Sequence, residues 1–425
     1  MHMKNFLVYF LLYLSLSTAY AGFENHFEAR SLRIDYVHAG DYQNEWFALD
    51  ELLVEPFWGG SQTNLIDTFN YGQLRVEVRD AVSGNLLYSR GYNSLFAEWQ
   101  TTTEAKMITR SFTESVVVPF PRSAVTVTLL SRNRSGEFKV HLEIEVDPKD
   151  YFIKPIQRNR FPVADIVINA PAAKAVDIVL LPEGYTTDEL EKFVADSRKF
   201  AAALFAFHPF DSLRNKFNIR AVLASSTESG LDIPADSVWK NTVLSASFYT
   251  FDSERYCMTF DHKSVRDLAS NAPYDQIYIL TNTEKYGGGG IFNFYSLSSI
   301  DNRFSAAILV HEFGHGFAGL GDEYYTSSTA YNEFYNLEIE PWEPNLTTLV
   351  DFDRKWKHLL DTDTPVPTPP DSLYMSKTGV FEGGGYVAKG VYRPAYDCLM
   401  HSFSGNRFCA ACVEAISNMV LFYSE

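Results

Sequence analysis

The stretch that decides the reading is ILVHEFGHGFAGLGDEYY, Ile308 to Tyr325. An α-helix turns about 100° per residue, so His311 and His315 fall on one face, about 6 Å apart along the axis. Both imidazoles can then reach one ion at the distances zinc requires. Glu312 is adjacent but rotated, placing it beside the metal where it can take a proton from water. Zinc lowers the pKa of such a water towards neutrality, so hydroxide becomes available to attack a carbonyl. A catalytic zinc needs a third protein ligand and an open position. Gly319 and Gly321 can end the helix and turn the chain back. Asp322 is then the expected third ligand, because a short carboxylate suits a tight return; His401 is the runner-up. Glu323 is expected next to it, orienting a histidine. An HExxH pattern arises by chance on the order of 0.01 times in a chain of this length. The bland alternative, two histidines on a solvated helix, sits poorly with the ILV run before the motif and the glycines and acids after it.

Further features surround the motif. Tyr286 to Phe294, YGGGGIFNF, contains glycines that permit close backbone approach. Gly289, Gly290 and Ile291 there can form an edge strand that pairs with an extended peptide, or a flexible loop. Met400 can form an apolar floor under the metal, and Tyr324 can stabilise an oxyanion.

The chain has 425 residues, natural for two domains, with 46% hydrophobic and 15% aromatic content typical of folded protein. Its 36 Lys plus Arg against 53 Asp plus Glu give a net charge of -17, which repels phosphate backbones and excludes nucleic acid as an expected partner. Residues 1–21 hold one charge, Lys4, then FLVYFLLYLSLS, and end in Ala19-Tyr20-Ala21. That is a signal-peptide pattern, too short for a convincing membrane span. The expectation is an exported protein, periplasmic, cell-surface or secreted, with no membrane attachment after cleavage. Export favours disulfides among Cys257, Cys398, Cys409 and Cys412, their pairing open. The rival is a structural zinc site of Cys398, His401, Cys409 and Cys412.

Residues 22–150 read as an antiparallel β-sandwich. Leu74, Val76 and Val78 alternate with Arg75, Glu77 and Arg79, and Ser83-Gly84 marks a hairpin turn. Val125, Val127 and Leu129 repeat the pattern, as do Val140, Leu142, Ile144 and Val146, with His141 expected to face solvent. KPIQRNRFP reads as a linker. Residues 160–425 read as an α/β domain with a mixed sheet. VDIVLLPEGY is a buried strand, Thr186 to Glu189 a capping box, and ELEKFVADSRKFAAALFAF an amphipathic helix. FNIRAVLAS and DQIYILTN are further strands, and TDTPVPTPPDS is a surface loop. The fold class is therefore α+β in two domains.

With these motifs assembled, the chain resembles peptidase family sixty-four, the IgA-specific metalloendopeptidase family of bacterial zinc proteases. LRIDYVHAG, EPFWGGSQTNLID and SRGYNSLFAEWQTT are similar to that family's N-terminal domain. VLLPEGYT, SGLDIPADSVWKNT, HEFGHGFAGLGDEYY and GVYRPAYDCLMHS with FCAAC are similar to its catalytic domain. The resemblance implies a secreted, metzincin-like endopeptidase with one catalytic zinc ion. Metzincins place the third ligand six residues after the second histidine, whereas Asp322 follows His315 by seven, and Gly319 is likewise shifted by one. Met400 matches the Met-turn residue. The implied partner is a protein or peptide, including host or dietary protein; nothing in these residues encodes immunoglobulin A. The alternative is an exported surface protein that binds glycan or host protein and keeps a structural, non-catalytic metal.

Overall fold

The structure, a computed structural model, describes residues 22–156, 160–325 and 335–425. The fold is α+β, with several sheets and few helices, consistent with two domains. The signal-peptide expectation falls on residues outside those described, as does part of the expected linker.

The N-terminal half begins with a short helix α1 (Phe23–His26) and strands β1 (Phe27–Gly40), β2 (Glu45–Glu55), β3 (Leu74–Asp80) and β4 (Leu86–Tyr92). A second short helix α2 (Leu95–Trp99) precedes β5 (Arg110–Pro121), β6 (Val125–Arg132) and β7 (Phe138–Val146). Lys154–Pro155, expected as linker, forms a short strand β8 that pairs with β2. The eight strands make two four-stranded sheets, ordered β5-β1-β2-β8 and β4-β3-β6-β7. Both sheets bury one common core containing Leu32, Ile34, Val76, Val118 and Val127. The alternation of β3 is as expected, with Leu74, Val76 and Val78 buried, and Gly84 takes a φ of 72° in the hairpin turn. His141 departs from expectation. Its ring stacks on Phe47 at 5.0 Å and bonds Ser131 at 2.9 Å, because a β-bulge between the Leu129–Leu142 and Leu130–Val140 pairs leaves His141 as the extra residue and turns Val140 outward instead.

The C-terminal half contains a six-stranded mixed sheet. Its strands are β9 (Val163–Val167), β10 (Val176–Glu183), β11 (Phe217–Val222), β12 (Gln276–Thr281), β13 (Gly288–Ile291) and β14 (Tyr295–Ser299). The order is β13-β14-β12-β10-β11-β9. The central four strands are parallel, and the two edge strands run antiparallel to their neighbours. All of β10 is buried, which suits its continuous apolar run to the middle of a sheet covered on both faces. Helices α3 (Leu190–Leu204), α5 (Ser305–Ala318) and α6 (Ala410–Ser424) contribute to one core with that sheet. The expected capping box is formed, with Thr186 N–H donating to Glu189 Oε2 at 2.9 Å. Helix α4 (His262–Ala269) lies in a second core on the sheet. That second core also takes in Leu95, Phe96, Trp99 and Phe112 from the N-terminal half. A hairpin, β15 (Phe381–Gly384) with β16 (Val387–Arg393), completes the strands.

Candidate metal centre and cleft

The motif lies on α5, which is apolar on nearly every side because it is buried between the sheet and α6. Gly319 stops the helix in a left-handed conformation, φ 64°, and its N–H returns to the His315 carbonyl at 3.1 Å. The chain then doubles back, as Gly319 and Gly321 led us to expect. Asn345 pins the return: its side chain accepts from Gly321 N at 2.7 Å and donates to Gly321 O at 2.9 Å.

This return brings Asp322 to the histidines. His311 Nε2 and His315 Nε2 are 3.1 Å apart, and Asp322 Oδ1 is 3.2 and 3.3 Å from them. Each histidine Nδ1 faces a carbonyl, Leu399 O at 3.0 Å and Leu320 O at 2.5 Å. A carbonyl only accepts, so each Nδ1 carries a proton and each Nε2 is the ring nitrogen turned inward. Asp322 Oδ1 is buried and outside any hydrogen bond. Two ring nitrogens and a carboxylate oxygen converging in a buried site call for positive charge between them, which a proton on Nε2 or a metal ion in its place supplies. A tetrahedral ion with bonds of about 2.0–2.1 Å separates its ligands by about 3.3 Å. The three donors therefore fit zinc. The carboxylates favour positive charge at this point: burial alone would push His315 down, but Asp322 and Glu312 raise it to about 9. Burial would lift Asp322, yet His315 and His311 hold it well below the usual carboxylate range.

Glu312 stands beside this group, half-buried, with ligand atoms of His311, Glu312 and His315 within 4.8 Å of one another. Burial lifts its carboxyl above the usual range; the histidines oppose the rise and Asp322 adds to it. Met400 lies beneath the helix, fully buried, where an added Cβ on Gly314 would meet its sulfur at 3.2 Å. The segment holding it also supplies the Leu399 carbonyl to His311. Gly289, Gly290 and Ile291 belong to β13, so the glycine run is an edge strand, not a loop. Its outer side is engaged at the start, where Gly288 bridges Tyr256. Tyr324 packs edge-on to Tyr386 at 5.3 Å, with the Arg255 guanidinium 5.9 Å above its ring.

Three expectations are corrected. Glu323 orients no histidine; it turns away, accepts from Asn345 Nδ2 at 3.0 Å and faces the cysteines. Successive residues in an extended return point to opposite sides, so Asp322 and Glu323 cannot serve one centre. His401, the runner-up, stands 3.7 Å from Asp397 and is not grouped with the two histidines, whose third neighbour is Asp322. No disulfide is formed: Cys257, Cys398, Cys409 and Cys412 are all free thiols, and Cys257 is buried in the second core away from the other three.

Sequence reasoning missed several residues here. Tyr386 donates a short hydrogen bond to Asp322 Oδ2. Arg255 adds positive charge that opposes the rise of Glu312. Glu98 comes from the N-terminal half and accepts a short hydrogen bond from Tyr256. None lies at a fixed spacing from the motif, so no sequence signal marks them. The centre opens into a cleft of about 1780 Å³ lined by both halves of the chain. That exceeds the roughly 300–1,000 Å³ of small-molecule pockets and suits a polymer.

Imidazoles, a carboxylate and a neighbouring glutamate at the floor of such a cleft can serve as a hydrolytic centre for a chain-like substrate. Residues 165–374 and 370–420 match the family described as IgA Peptidase M64, and residues 22–143 match that described as Peptidase M64 N-terminus. The chain belongs to the M64 peptidases, which makes it a peptidase acting on protein or peptide. No curated protein matches the chain.

Proposed function

We propose that this peptidase is an exported zinc-dependent endopeptidase, with His311, His315 and Asp322 holding one catalytic ion and Glu312 as general base. The observation that carries the reading is the convergence of two inward-facing Nε2 atoms and the orphaned Asp322 oxygen within 3.3 Å. A zinc ion bound there supplies Lewis acidity, acidifying water and polarising the scissile carbonyl. Glu312 takes the proton from the attacking water and passes it to the leaving amine. Its raised pKa brings it nearer the working pH, where a base that must later act as an acid is most effective. Tyr324 and Arg255, which both line the cleft, steady the oxyanion. Residues Gly289 to Ile291 along the cleft offer backbone to an extended substrate. The boundaries 22–150 and 160–425 divide a β-sandwich from a zincin-like catalytic domain, and residues 1–21 serve as signal peptide. No helix among the described residues is long and apolar enough to cross a membrane.

The test is digestion of a diverse peptide mixture by residues 22–425, with new termini read by mass spectrometry and Glu312→Ala run in parallel. Internal cleavage by the intact protein alone is the expected result. Equal cleavage by both removes Glu312 as base. No cleavage by either, with metal bound and the fold intact, favours a binding protein with a structural metal.

A further inference from the structure

The side of the return loop opposite the catalytic group holds a second cluster. Glu323, Cys398, Cys409 and Cys412 each place a ligand atom within 4.8 Å of the others. Cys398 Sγ and Cys412 Sγ are 3.8 Å apart, and Glu323 Oε1 is 3.3 Å from Cys412 Sγ and 3.9 Å from Cys409 Sγ. A tetrahedral zinc with Zn–S bonds of about 2.3 Å and a Zn–O bond of about 2.0 Å sets sulfurs about 3.8 Å apart and sulfur from oxygen about 3.5 Å apart. The three edges given lie within about 0.4 Å of such a tetrahedron, and the remaining pairs are within 4.8 Å.

Burial makes the case independently. Glu323 is 0% exposed, Cys398 and Cys412 are equally enclosed, and Glu323 Oε2 has no hydrogen-bond partner. An enclosed carboxylate with an orphaned oxygen is costly beside three thiols and natural beside a cation. A disulfide would consume two sulfurs and leave both the third thiol and the carboxylate uncompensated. The backbone is arranged for thiolates as well. Cys409 caps the N-terminus of α6, Cys412 lies in its first turn, and Cys409 N–H points at Cys398 Sγ at 3.3 Å.

We propose that Glu323, Cys398, Cys409 and Cys412 hold a second, structural zinc ion, closed to substrate and separate from the catalytic one. Binding replaces three thiol protons with the metal and releases them to solvent. The ion ties together three segments that build the catalytic group. Glu323 follows Asp322 directly and its N–H donates to Met400 O at 2.8 Å. Cys398 opens the turn whose Leu399 carbonyl holds His311. The two remaining cysteines anchor α6 beneath both. The inference does not rest on the peptidase chemistry, because its ligands and readout are separate.

The test counts zinc in residues 22–425, purified without reductant, and in a His311→Ala/His315→Ala variant, with X-ray absorption at the zinc edge. The expected result is two ions in the first and one in the second, the survivor showing three sulfurs at about 2.3 Å. Glu323→Gln, which keeps size and leaves the cysteines intact, should release this ion to a chelator at least about 10- to 100-fold faster while the fold persists. A histidine variant that is folded but zinc-free overturns the proposal. So does a surviving ion without sulfur ligands, or a protein about 2 Da lighter through a Cys–Cys bond.

Discussion

At the scale of single residues, Tyr386 shows what spacing cannot reveal. It lies 64 positions from Asp322, yet its hydroxyl donates to the carboxylate oxygen turned away from the histidines. Holding that oxygen fixes which one faces the two histidines and the proposed metal position. Tyr386→Phe should therefore weaken zinc binding at the His311 centre by about 10- to 100-fold, with the fold retained. Competition against a chromophoric chelator measures this, and an unchanged affinity would leave Tyr386 without a positioning role. His311, Glu312 and His315 were legible because one helix imposes their geometry at fixed spacing. Asp322 was legible because two glycines force the return. Glu323 was not, because its direction depends on a register between the loop and Met400 that only tertiary packing sets.

At the scale of elements, β13 and α5 approach so closely that glycine is required. A Cβ on Gly290 would stand 2.2 Å from the Glu312 carbonyl oxygen and 3.0 Å from His315 Cβ. The first obstacle is backbone and cannot swing aside. Gly290→Ala should cost about 1–3 kcal/mol in stability and displace the histidines, so cleavage falls further than stability does. Gly84→Ala is the control: its Cβ would meet nothing within 4 Å, so only the positive φ is strained and activity should hold. The glycine run announced close approach in the sequence, but not which backbone would approach. The end of β10 gives a pH prediction. Glu183 accepts from Thr242 Oγ1 at 2.6 Å and from the Leu244 and Ala246 N–H groups at 2.9 and 2.7 Å, fastening that loop to the sheet. Burial pushes its carboxyl up from 4.5 to about 7 despite these donors. The folded chain thus keeps a proton that the unfolded chain releases. Its contribution is complete below about pH 4.5 and is lost as pH rises towards 7, by about 3 kcal/mol. Urea midpoints across that range should fall for the native protein and flatten in Glu183→Gln.

At the scale of the molecule, alternation and turn signals revealed both sets of strands, but a one-dimensional pattern cannot say how two halves meet. They meet through charge as well as through the shared apolar core. Arg33 on β1 is fully buried, with its Nε 2.7 Å from Asp35 and one terminal nitrogen 2.7 Å from Asp267 on α4. Glu55 lies 3.9 Å away on β2, and Lys263 approaches Asp35 at 3.8 Å from the other half. Across this junction, N-terminal residues such as Glu98 wall the same cleft as Glu312. Arg33→Met keeps the bulk but leaves Asp35 and Asp267 enclosed with their principal counter-charge removed. Breaking a buried pair from one side costs about 3–5 kcal/mol, more than the pair itself is worth, because the abandoned charges stay desolvated. The variant should unfold at lower urea with a single transition if the halves are one cooperative unit. Two separated transitions, with peptide cleavage surviving the first, would instead show that the C-terminal half holds its centre alone. In that event the N-terminal half would contribute substrate contacts and not stability.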